Sequence, residues 1–596
     1  MKRRLALHAL VILAATTARA DVAFTGIAAG DATTTSAIVW ARAVDAAAPG
    51  ACVLALQYGT DEKLAGATEL AVQTSAERDF TCKAELTSLQ PNTRYYYRFL
   101  NPTKTQASAI GTFKTAPAPD AAVEIRLAFS GDAHTQWRPY PSIKEIAGQK
   151  LDFFVFLGDT MYETSAKASP SLPDSVTLAT TDTSTAGATP EKLLAEYHTK
   201  YREQFAPVNK EGQAGLTPFF LAQGNYTLLD NHELGNKQYI DGGAPQGPPI
   251  GGVAGTAAAV NAVDPGYDVN ATGKYMHQTA AYRNILQAYL DYQPIRESTV
   301  TAPDDPRMNG TPKLYAGQRW GRNLLYVTLD DRSYRDIRMR NAAGDETGSR
   351  ANNPARTMLG KTQVEWIEKT LADAQAAGIA WKIISVSSPI DQMGAKGTDG
   401  RAANADGGKT WYGGYRAERN SLLKFIADHK ITNVVFLSTD DHQNRVNELC
   451  YFADEKTLAQ NTAVRVPGCF TIVAGPIGAS GPDGITNHAF ASLKTRADTL
   501  ARTQTAAGVD PIGLAADYPG LHDVFREGDP DADKLRQPID FYSPDTFNYA
   551  LLRISADGKT LSIDTWGVNS YAANTYPELS AANPVRRILG FQVSAQ

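Results

Sequence analysis

In Leu151-Asp-Phe-Phe-Val-Phe-Leu-Gly158-Asp159-Thr-Met-Tyr162, an apolar run ends in a cluster of glycine, acid and tyrosine. Short apolar runs closed by polar residues are typical of buried parallel strands. Open α/β sheets bind their ligands beyond the carboxyl ends of such strands. The stretch therefore predicts a functional site that contains Asp159 and Tyr162.

Three further apolar runs end in the same way. Their polar ends are Gly131-Asp132-Ala-His134 after Ile125–Ser130, Asp230-Asn231-His232-Glu233 after Tyr226–Leu229, and Asp440-Asp-His442 after Asn433–Thr439. Taken singly, an aspartate at a strand end is often a helix cap, and a lone histidine is more often structural than a ligand. Four such clusters in one chain predict instead that the strand ends converge on one site.

The chemistry of these side chains predicts a two-metal phosphoesterase site. A carboxylate shared between two cations holds them roughly 3.5–4 Å apart, which lets the pair bind both the attacking and the leaving oxygen. The predicted ligands are Asp159 as the bridge, Asp132 and His442 on the first metal, Tyr162 on the same ion as a phenolate suited to Fe(III), and Asn231 on the second metal. His232 is predicted to face the substrate as general acid or transition-state stabiliser.

Residues 1–20 have a basic start, a short apolar middle and the small-residue ending Ala18-Arg-Ala20. This pattern predicts an export signal cut after Ala20, with the mature protein periplasmic or secreted. Arg3-Arg4 leaves the twin-arginine and the general secretory route both open. No other run approaches the roughly 20 apolar residues of a spanning helix, so stable membrane insertion is not expected.

Charge and cysteine content narrow the function classes further. The net charge of the whole chain is −5. Removing residues 1–20 takes away four basic residues and no acid, so the mature chain would carry −9, which argues against a nucleic-acid binder. The four cysteines form two local pairs, Cys52 with Cys82 and Cys450 with Cys469, for which export makes two disulfides an expectation. A monomer is expected.

The chain divides into two regions of different pattern. Residues 21–115 alternate short β-rich stretches with turns and predict an all-β sandwich. The piece from Leu89 to Phe99 resembles the corner segment of fibronectin type III domains, where a tyrosine closes the corner. Residues 116–120 form a proline-rich linker, and residues 121–596 alternate strands with helical stretches. The low-complexity segments 164–189, 241–272 and 394–409 are either substrate loops or tolerated surface insertions.

Six motifs in order make the chain resemble the alkaline phosphatase D family, the PhoD-like phosphatases. They are Gly158-Asp-x-x-Tyr162-Glu163, Asp230-x-His-Glu233, Leu329-Asp-x-Arg-Ser-Tyr-Arg335, Met358-Leu-Gly-x-x-Gln-x-x-Trp366, Trp411-x-x-Gly-Tyr-x-x-Glu-Arg419 and Leu437-Ser-x-Asp-x-His442. The resemblance implies a fibronectin-like domain followed by a four-layered αββα metallophosphoesterase domain. It also implies hydrolysis of phosphomonoesters and phosphodiesters at an iron and calcium centre. On this resemblance the iron ligands are Asp159, Tyr162 and His442, while Asn231 and Asp440 lie on the calcium side.

The sequence departs from that family pattern at the metal ligands. Where many relatives carry a cysteine, this chain has Asp132-Ala-His134, so His134 becomes a candidate extra ligand. Ser387 and Ser388 stand where a histidine could have reached the second metal. Because oxygen ligands alone suit Ca²⁺ or Mg²⁺, calcium is the predicted second metal, with zinc, manganese and magnesium as alternatives.

The favoured function is an exported phosphatase in which metal-bound hydroxide attacks the phosphorus of a small phosphate ester. Two alternatives stay open. One is an exported binding or adhesion protein whose phosphatase scaffold has lost turnover. The other is a phospholipase D-like or nucleotide diesterase. The ester itself, and the balance between monoesters and diesters, cannot be predicted from these motifs.

Overall fold

A computed structural model describes most of the 596-residue chain. The described residues are 21–45, 50–163, 190–205, 215–235, 280–336, 352, 354–391, 411–454, 462–480, 490–507, 510–525, 541–573, 575 and 584–596. The predicted export signal, residues 1–20, lies outside them. So do the three low-complexity segments 164–189, 241–272 and 394–409.

The N-terminal region is built from strands, as the β-rich pattern predicted. They are β1 (Val22–Gly30), β2 (Ala37–Asp45), β3 (Val53–Gly59), β4 (Thr68–Gln73), β5 (Thr81–Leu86), β6 (Arg94–Leu100) and β7 (Gly111–Lys114). β4, β3, β6 and β7 form a four-stranded sheet, while β1, β2 and β5 pair with one another. The inner faces share a core that includes Val39, Leu56 and Phe99. At the corner before β6, the Gln90 N–H donates to the Tyr95 hydroxyl at 2.8 Å.

The larger region alternates strands and helices. Its strands are β8 (Ile125–Ser130), β9 (Phe153–Phe156), β10 (Asn225–Thr227), β11 (Ala316–Trp320), β12 (Leu324–Thr328), β13 (Trp381–Ser385), β14 (Val434–Ser438), β15 (Asn444–Phe452), β16 (Ala463–Val473), β17 (Leu521–His522), β18 (Tyr542–Ser543), β19 (Thr546–Ile554), β20 (Thr560–Asn569) and β21 (Arg586–Ser594). Its helices are α1 (Pro190–Phe205), α2 (Thr217–Ala222), α3 (Asn231–Leu234), α4 (Ala280–Tyr292), α5 (Lys361–Ala376), α6 (Arg416–Asp428) and α7 (Phe490–Ala507).

These strands form two large sheets. One has the order β17-β21-β20-β19-β8-β9-β10-β1-β2-β5, and the other has the order β11-β12-β13-β14-β16-β15-β18. β8, β9 and β10 are parallel neighbours, as are β12, β13 and β14. All four residues of β9 are buried, because this strand has a strand on each side and packed side chains on both faces. Parallel order at the centre of each sheet brings the carboxyl ends of these strands to a common edge.

Three apolar cores hold the sheets and helices together. One lies between the two sheets and joins Phe129 and Val155 to Ile383 and Leu437. A second packs the ten-stranded sheet against α1, α2 and α4, and a third packs the seven-stranded sheet against α5 and α6. Ile367 and Leu371 of α5 lie in this third core. Both sheets therefore have helices packed against them.

The ten-stranded sheet continues into the N-terminal region. β1 lies next to β10 in parallel, with Gly30 opposite Asn225. A Cβ at Gly30 would lie 2.4 Å from the Pro294 carbonyl oxygen and 2.6 Å from that of Asn225, so a side chain there would separate the strands. The change in sequence pattern near residue 115 therefore does not coincide with a break in the sheet.

The four cysteines are free and buried in the structure, so the expected disulfides are not observed. Cys52 Sγ lies 3.6 Å from the Ala43 carbonyl oxygen instead of bonding to a second sulfur. Cys450 is paired in register with Arg465, and Cys469 with Val434. Burial raises the pKa of the Cys82 thiol to about 12, which disfavours the thiolate that exchange chemistry requires.

Candidate metal centre

The predicted strand ends meet at one place. Asp132 follows β8, Asp159 follows β9, Asp230 follows β10, and Asp440 follows β14 of the second sheet. Three of these turns are left-handed, with φ of 60° at Asp132, 52° at Asp159 and 69° at Asp440. Such angles cost about 1 kcal/mol or more at residues other than glycine and tend to cluster at functional sites. Here each one turns an aspartate out of its strand and towards the others.

Gly158 allows two of these strand ends to approach closely. Its φ is 98°, and a Cβ there would lie 2.5 Å from Cβ of Asp230 and 2.6 Å from the Asp230 nitrogen. The Gly158 carbonyl oxygen also accepts a hydrogen bond from the Asp132 N–H at 3.2 Å. A side chain at this position would therefore push apart the turns that carry the carboxylates.

Three buried carboxylates form the centre of the site. One oxygen each from Asp132, Asp159 and Asp230 can be chosen so that all three lie within 4.8 Å of one another. Asp132 Oδ1 and Asp230 Oδ2 are buried and have no hydrogen-bond partner among the described residues. Burial, reinforced by the neighbouring Asp230, raises the pKa of Asp159 well above its usual value. Buried anions packed this closely need a cation, so the residues fit a metal ion.

Asp159 is also held by the helix that follows β10. Its Oδ1 accepts the His232 N–H at 2.9 Å, while its own N–H donates to Glu233 at 2.8 Å. Glu233 accepts a further hydrogen bond from the Asp230 N–H at 2.7 Å. The Asp230 to Glu233 motif thus fixes the position of the predicted bridging carboxylate through backbone groups.

His232 and Glu163 form a buried pair beside the carboxylates. His232 Nδ1 lies 2.5 Å from Glu163 Oε2, and His232 Nε2 lies 3.9 Å from Asp159 Oδ2. The Tyr162 ring packs against the His232 ring with centroids 3.9 Å apart. Glu163 thus fixes which imidazole nitrogen faces the carboxylates, and its role was not predicted although it ends the first motif.

His442 reaches the same cluster from the second sheet. Its Nε2 lies 3.4 Å from Asp132 Oδ1 and 3.4 Å from the Tyr162 hydroxyl. Burial disfavours the imidazolium, but the Asp132 carboxylate raises the pKa of His442 to about 9. Burial and the Asp159 carboxylate raise the pKa of Tyr162 well above its usual range. The predicted iron-side residues are therefore brought together.

Asn231 and His134 are two further predicted site residues. Asn231 is buried and begins α3 directly after Asp230. His134 packs its ring against Tyr162 at 4.5 Å and against Trp137 at 4.8 Å, while its Nδ1 accepts the Gln136 N–H at 3.2 Å. Only one nitrogen of His134 is thus left for any further contact.

Asp230 and Arg332 are site residues that the ligand assignment missed. Arg332 Nε donates to Asp230 Oδ1 at 2.6 Å, and Nη2 lies 2.8 Å from Asp440 Oδ2. Ser387 Oγ lies 2.6 Å from Asp230 Oδ1, so the serine that stands in place of a histidine contacts a carboxylate. The available signal for Arg332 was the charged motif directly after the buried run Leu324–Thr328.

Within the described residues, no helix is both long and apolar enough to cross a membrane.

Comparison with known proteins agrees with the order of the motifs. Residues 127–509 match the model of the PhoD-like phosphatase family, and residues 11–117 match that of its N-terminal domain. Alkaline phosphatase D of Bacillus subtilis (strain 168) is 26% identical over 435 residues, which cover 71% of this chain and 65% of that protein. The match thus spans slightly less than two thirds of the relative.

Solved structures also resemble the chain. A structure of PhoD has a TM-score of 0.64 at 19% identity and covers 96% of this chain and 90% of its own, which shows a shared fold. A purple acid phosphatase from yellow lupin (Lupinus luteus) seeds has a TM-score of 0.45 at 12% identity, and the match covers 95% of this chain and 74% of that protein. Because the first family model alone spans more than half of the chain, the predicted assignment is confirmed, and this protein belongs to the PhoD-like phosphatase family.

Proposed function

We propose that this protein is an exported metal-dependent hydrolase of phosphate esters, acting on phosphomonoesters, phosphodiesters or both. The observation that carries the proposal is the group of buried carboxylates of Asp132, Asp159 and Asp230, in which Asp132 Oδ1 and Asp230 Oδ2 have no hydrogen-bond partner among the described residues. Membership of a phosphatase family supports the same reaction class. The helix and sheet packing supports a four-layered αββα arrangement for the catalytic domain.

The metal ligands are assigned from the geometry together with the motifs. We assign Asp132, Asp159, Asp230, Tyr162 and His442 to one shared cluster, with Fe(III) as the metal beside Tyr162. Asn231 and Asp440 are assigned to a second metal, for which their oxygen atoms favour Ca²⁺. When bound, the metals would acidify a water molecule and offset the negative charge of the phosphate.

The protein's own residues supply the proton and the orientation. Glu163 contacts Nδ1 of His232, so Nε2 is the nitrogen left to face the departing ester oxygen, and it donates a proton there when both ring nitrogens carry one. The Tyr162 ring lies against the imidazole and restricts its rotation. Asp159 stays aligned because the His232 backbone N–H donates to its Oδ1. The same short helix, α3, therefore carries the proton donor and fixes the position of the Asp159 carboxylate.

Turnover of two simple esters by the full-length protein tests this proposal. Purified protein is loaded with Fe(III) and Ca²⁺, and hydrolysis of an aryl phosphate monoester and of an aryl phosphate diester is measured beside elemental analysis. We expect turnover of at least one ester, and the ratio of the two rates assigns the substrate class. Protein that retains its metals but hydrolyses neither ester would instead support the binding-protein alternative. Analysis of the N-terminus of the exported protein tests cleavage after Ala20.

A further inference from the structure

Two imidazole rings pack against the ring of Tyr162. The Tyr162 ring centroid lies 4.5 Å from that of His134 and 3.9 Å from that of His232, with interplanar angles of 42° and 36°. Tyr162 is buried, and its hydroxyl lies 3.4 Å from His442 Nε2. A ring with two such neighbours has little freedom to turn, so these contacts determine where the hydroxyl lies relative to His442.

The His134 ring is itself held in place by the short turn that follows β8. Its Nδ1 accepts the Gln136 N–H at 3.2 Å, and its ring packs edge-on against Trp137 with centroids 4.8 Å apart. Trp137 is fixed in turn, because its indole N–H donates to the Tyr571 carbonyl oxygen at 2.8 Å. The position of the His134 ring therefore follows from the protein's own contacts and does not require a metal.

The hydrogen bond from Gln136 also decides which nitrogen of His134 carries the proton. Because Nδ1 accepts a hydrogen bond, the neutral ring must carry its proton on Nε2. A histidine that binds a metal through one nitrogen almost always donates a proton from the other. A metal at Nε2 of this ring would leave both nitrogens without a proton. His134 is therefore a poor metal ligand as long as Nδ1 accepts the Gln136 N–H.

We propose that His134 is a positioning residue for Tyr162 and not the extra metal ligand that the sequence suggested. Its ring, together with that of His232, keeps the Tyr162 hydroxyl beside His442, where both can bind the first metal. This inference rests on the metal centre proposed above. The segment Asp132-Ala-His134 then has two roles, since it supplies one ligand directly and supports a second ligand through ring packing.

Two substitutions in the full-length, iron-loaded protein separate the ring of His134 from its nitrogens. The measurements are iron content, iron affinity and the visible absorption band expected of a Tyr162–Fe(III) pair, so none of them relies on activity. His134→Phe keeps an aromatic ring but has no nitrogen that could bind a metal, and it should retain the iron and the wild-type absorption maximum. His134→Asn keeps an oxygen that can accept the Gln136 N–H but has no ring. It should shift the absorption maximum and weaken iron binding roughly tenfold or more, as the loss of residues that support metal ligands typically does.

A matched control separates this effect from the general loss of a buried histidine. His198 is also buried, its ring centroid lies 5.9 Å from that of Tyr292, and its Nε2 lies 2.8 Å from Asp291 Oδ2. None of these three residues belongs to the proposed metal centre. His198→Asn should therefore leave the band and the iron content unchanged. Unfolding midpoints and circular dichroism verify that each variant is folded.

The outcomes distinguish support, ligation and the failure of the metal centre. Loss of iron from folded His134→Phe would show that His134 is a ligand, and an unchanged band and iron affinity in His134→Asn would show that its ring does not hold Tyr162. Either result overturns the inference. If a His134 variant does not fold, Trp137→Leu decides, because it removes the ring that packs against His134 and should shift the band in the same direction. An unshifted band in folded Trp137→Leu then overturns the inference. Wild-type protein that binds iron without a visible band contradicts the proposed ligation by Tyr162, and not the role of His134 alone.

Discussion

Replacing Glu163 tests whether His232 is the proton donor. The two side chains are buried, and His232 Nδ1 lies 2.5 Å from Glu163 Oε2, which is the geometry of a charge-assisted hydrogen bond. Glu163→Gln keeps the shape and an acceptor oxygen but removes the charge. The variant should therefore keep the fold and the metals while making the protonated imidazole less populated and less well oriented.

The size of the effect follows from the kind of hydrogen bond that is lost. Charge-assisted hydrogen bonds contribute about 1.5–3 kcal/mol and neutral ones about 0.5–1.5 kcal/mol. Glu163→Gln therefore removes roughly 1–1.5 kcal/mol, and because 1.36 kcal/mol is tenfold in rate, kcat should fall about tenfold. Glu163→Leu leaves Nδ1 without a partner, so the loss should reach roughly 2–3 kcal/mol, or about 30- to 150-fold.

The assay compares esters with different leaving groups. A nitrophenolate leaves with little help from an acid, whereas an alkoxide leaves only when it is protonated. Loss of kcat in Glu163→Gln should thus be larger for an alkyl phosphate than for a nitrophenyl phosphate, with metal content unchanged. An equal loss for both esters, or no loss at all, would refute the role given to His232. A parallel loss of metal would show that Glu163 acts on the metal ligands instead.

Three further results are expected. Asp159→Asn should abolish activity and strip metal. The Asp152 carboxylate accepts a hydrogen bond from Lys114 at 2.6 Å outside the site, so Asp152→Asn should retain both activity and metal. Activity assays and elemental analysis of the two variants check this prediction. If Tyr162 binds Fe(III), the visible absorption band of the iron-loaded protein should vanish in Tyr162→Phe, and a colourless, active, iron-containing wild type would contradict it. Burial lowers the pKa of Lys382 from 10.5 to about 8. Between pH 8 and pH 10.5 the unfolded chain therefore binds more protons than the folded protein, so the free energy of unfolding should rise with pH across this range. Chemical denaturation should show no such rise in Lys382→Met.

The convergence of the site residues could be predicted because each follows a short apolar strand. Three of the strands, β8, β9 and β10, are parallel neighbours, so their carboxyl ends must lie at one edge. Asp132 and Asp159 therefore lie close together regardless of the path of the loops that connect the strands. Asp440 and His442 come from the other sheet, and their approach depends on the packing of the two sheets. The motif order supplied that information, since strand patterns alone do not align one sheet with another.

The choice between Asp230 and Asn231 could not be made from the sequence. The two residues are adjacent at the start of α3, and either side chain could face the neighbouring strands. The structure brings Asp230 into the carboxylate cluster because its backbone passes directly over Gly158, where no side chain intervenes. This contact depends on how the turns at Gly158 and Asp230 cross in space, and such a crossing leaves no periodic pattern in the sequence. Asn231, the next residue along the chain, remains a predicted ligand.

Arg332 shows why local patterns describe a charged site incompletely. It lies 102 residues from Asp230 and 108 from Asp440 along the chain. It reaches Asp440 because β12 and β14 flank β13 in the second sheet, and it reaches Asp230 because the two sheets pack against each other. A buried arginine needs anionic partners, and buried aspartates need a cation. The carboxylates of the site therefore have two sources of positive charge, the metals and this guanidinium. Because this arginine cannot dissociate, it preserves part of the charge balance whether or not a metal is bound, and its contacts hold Asp230 and Asp440 in place.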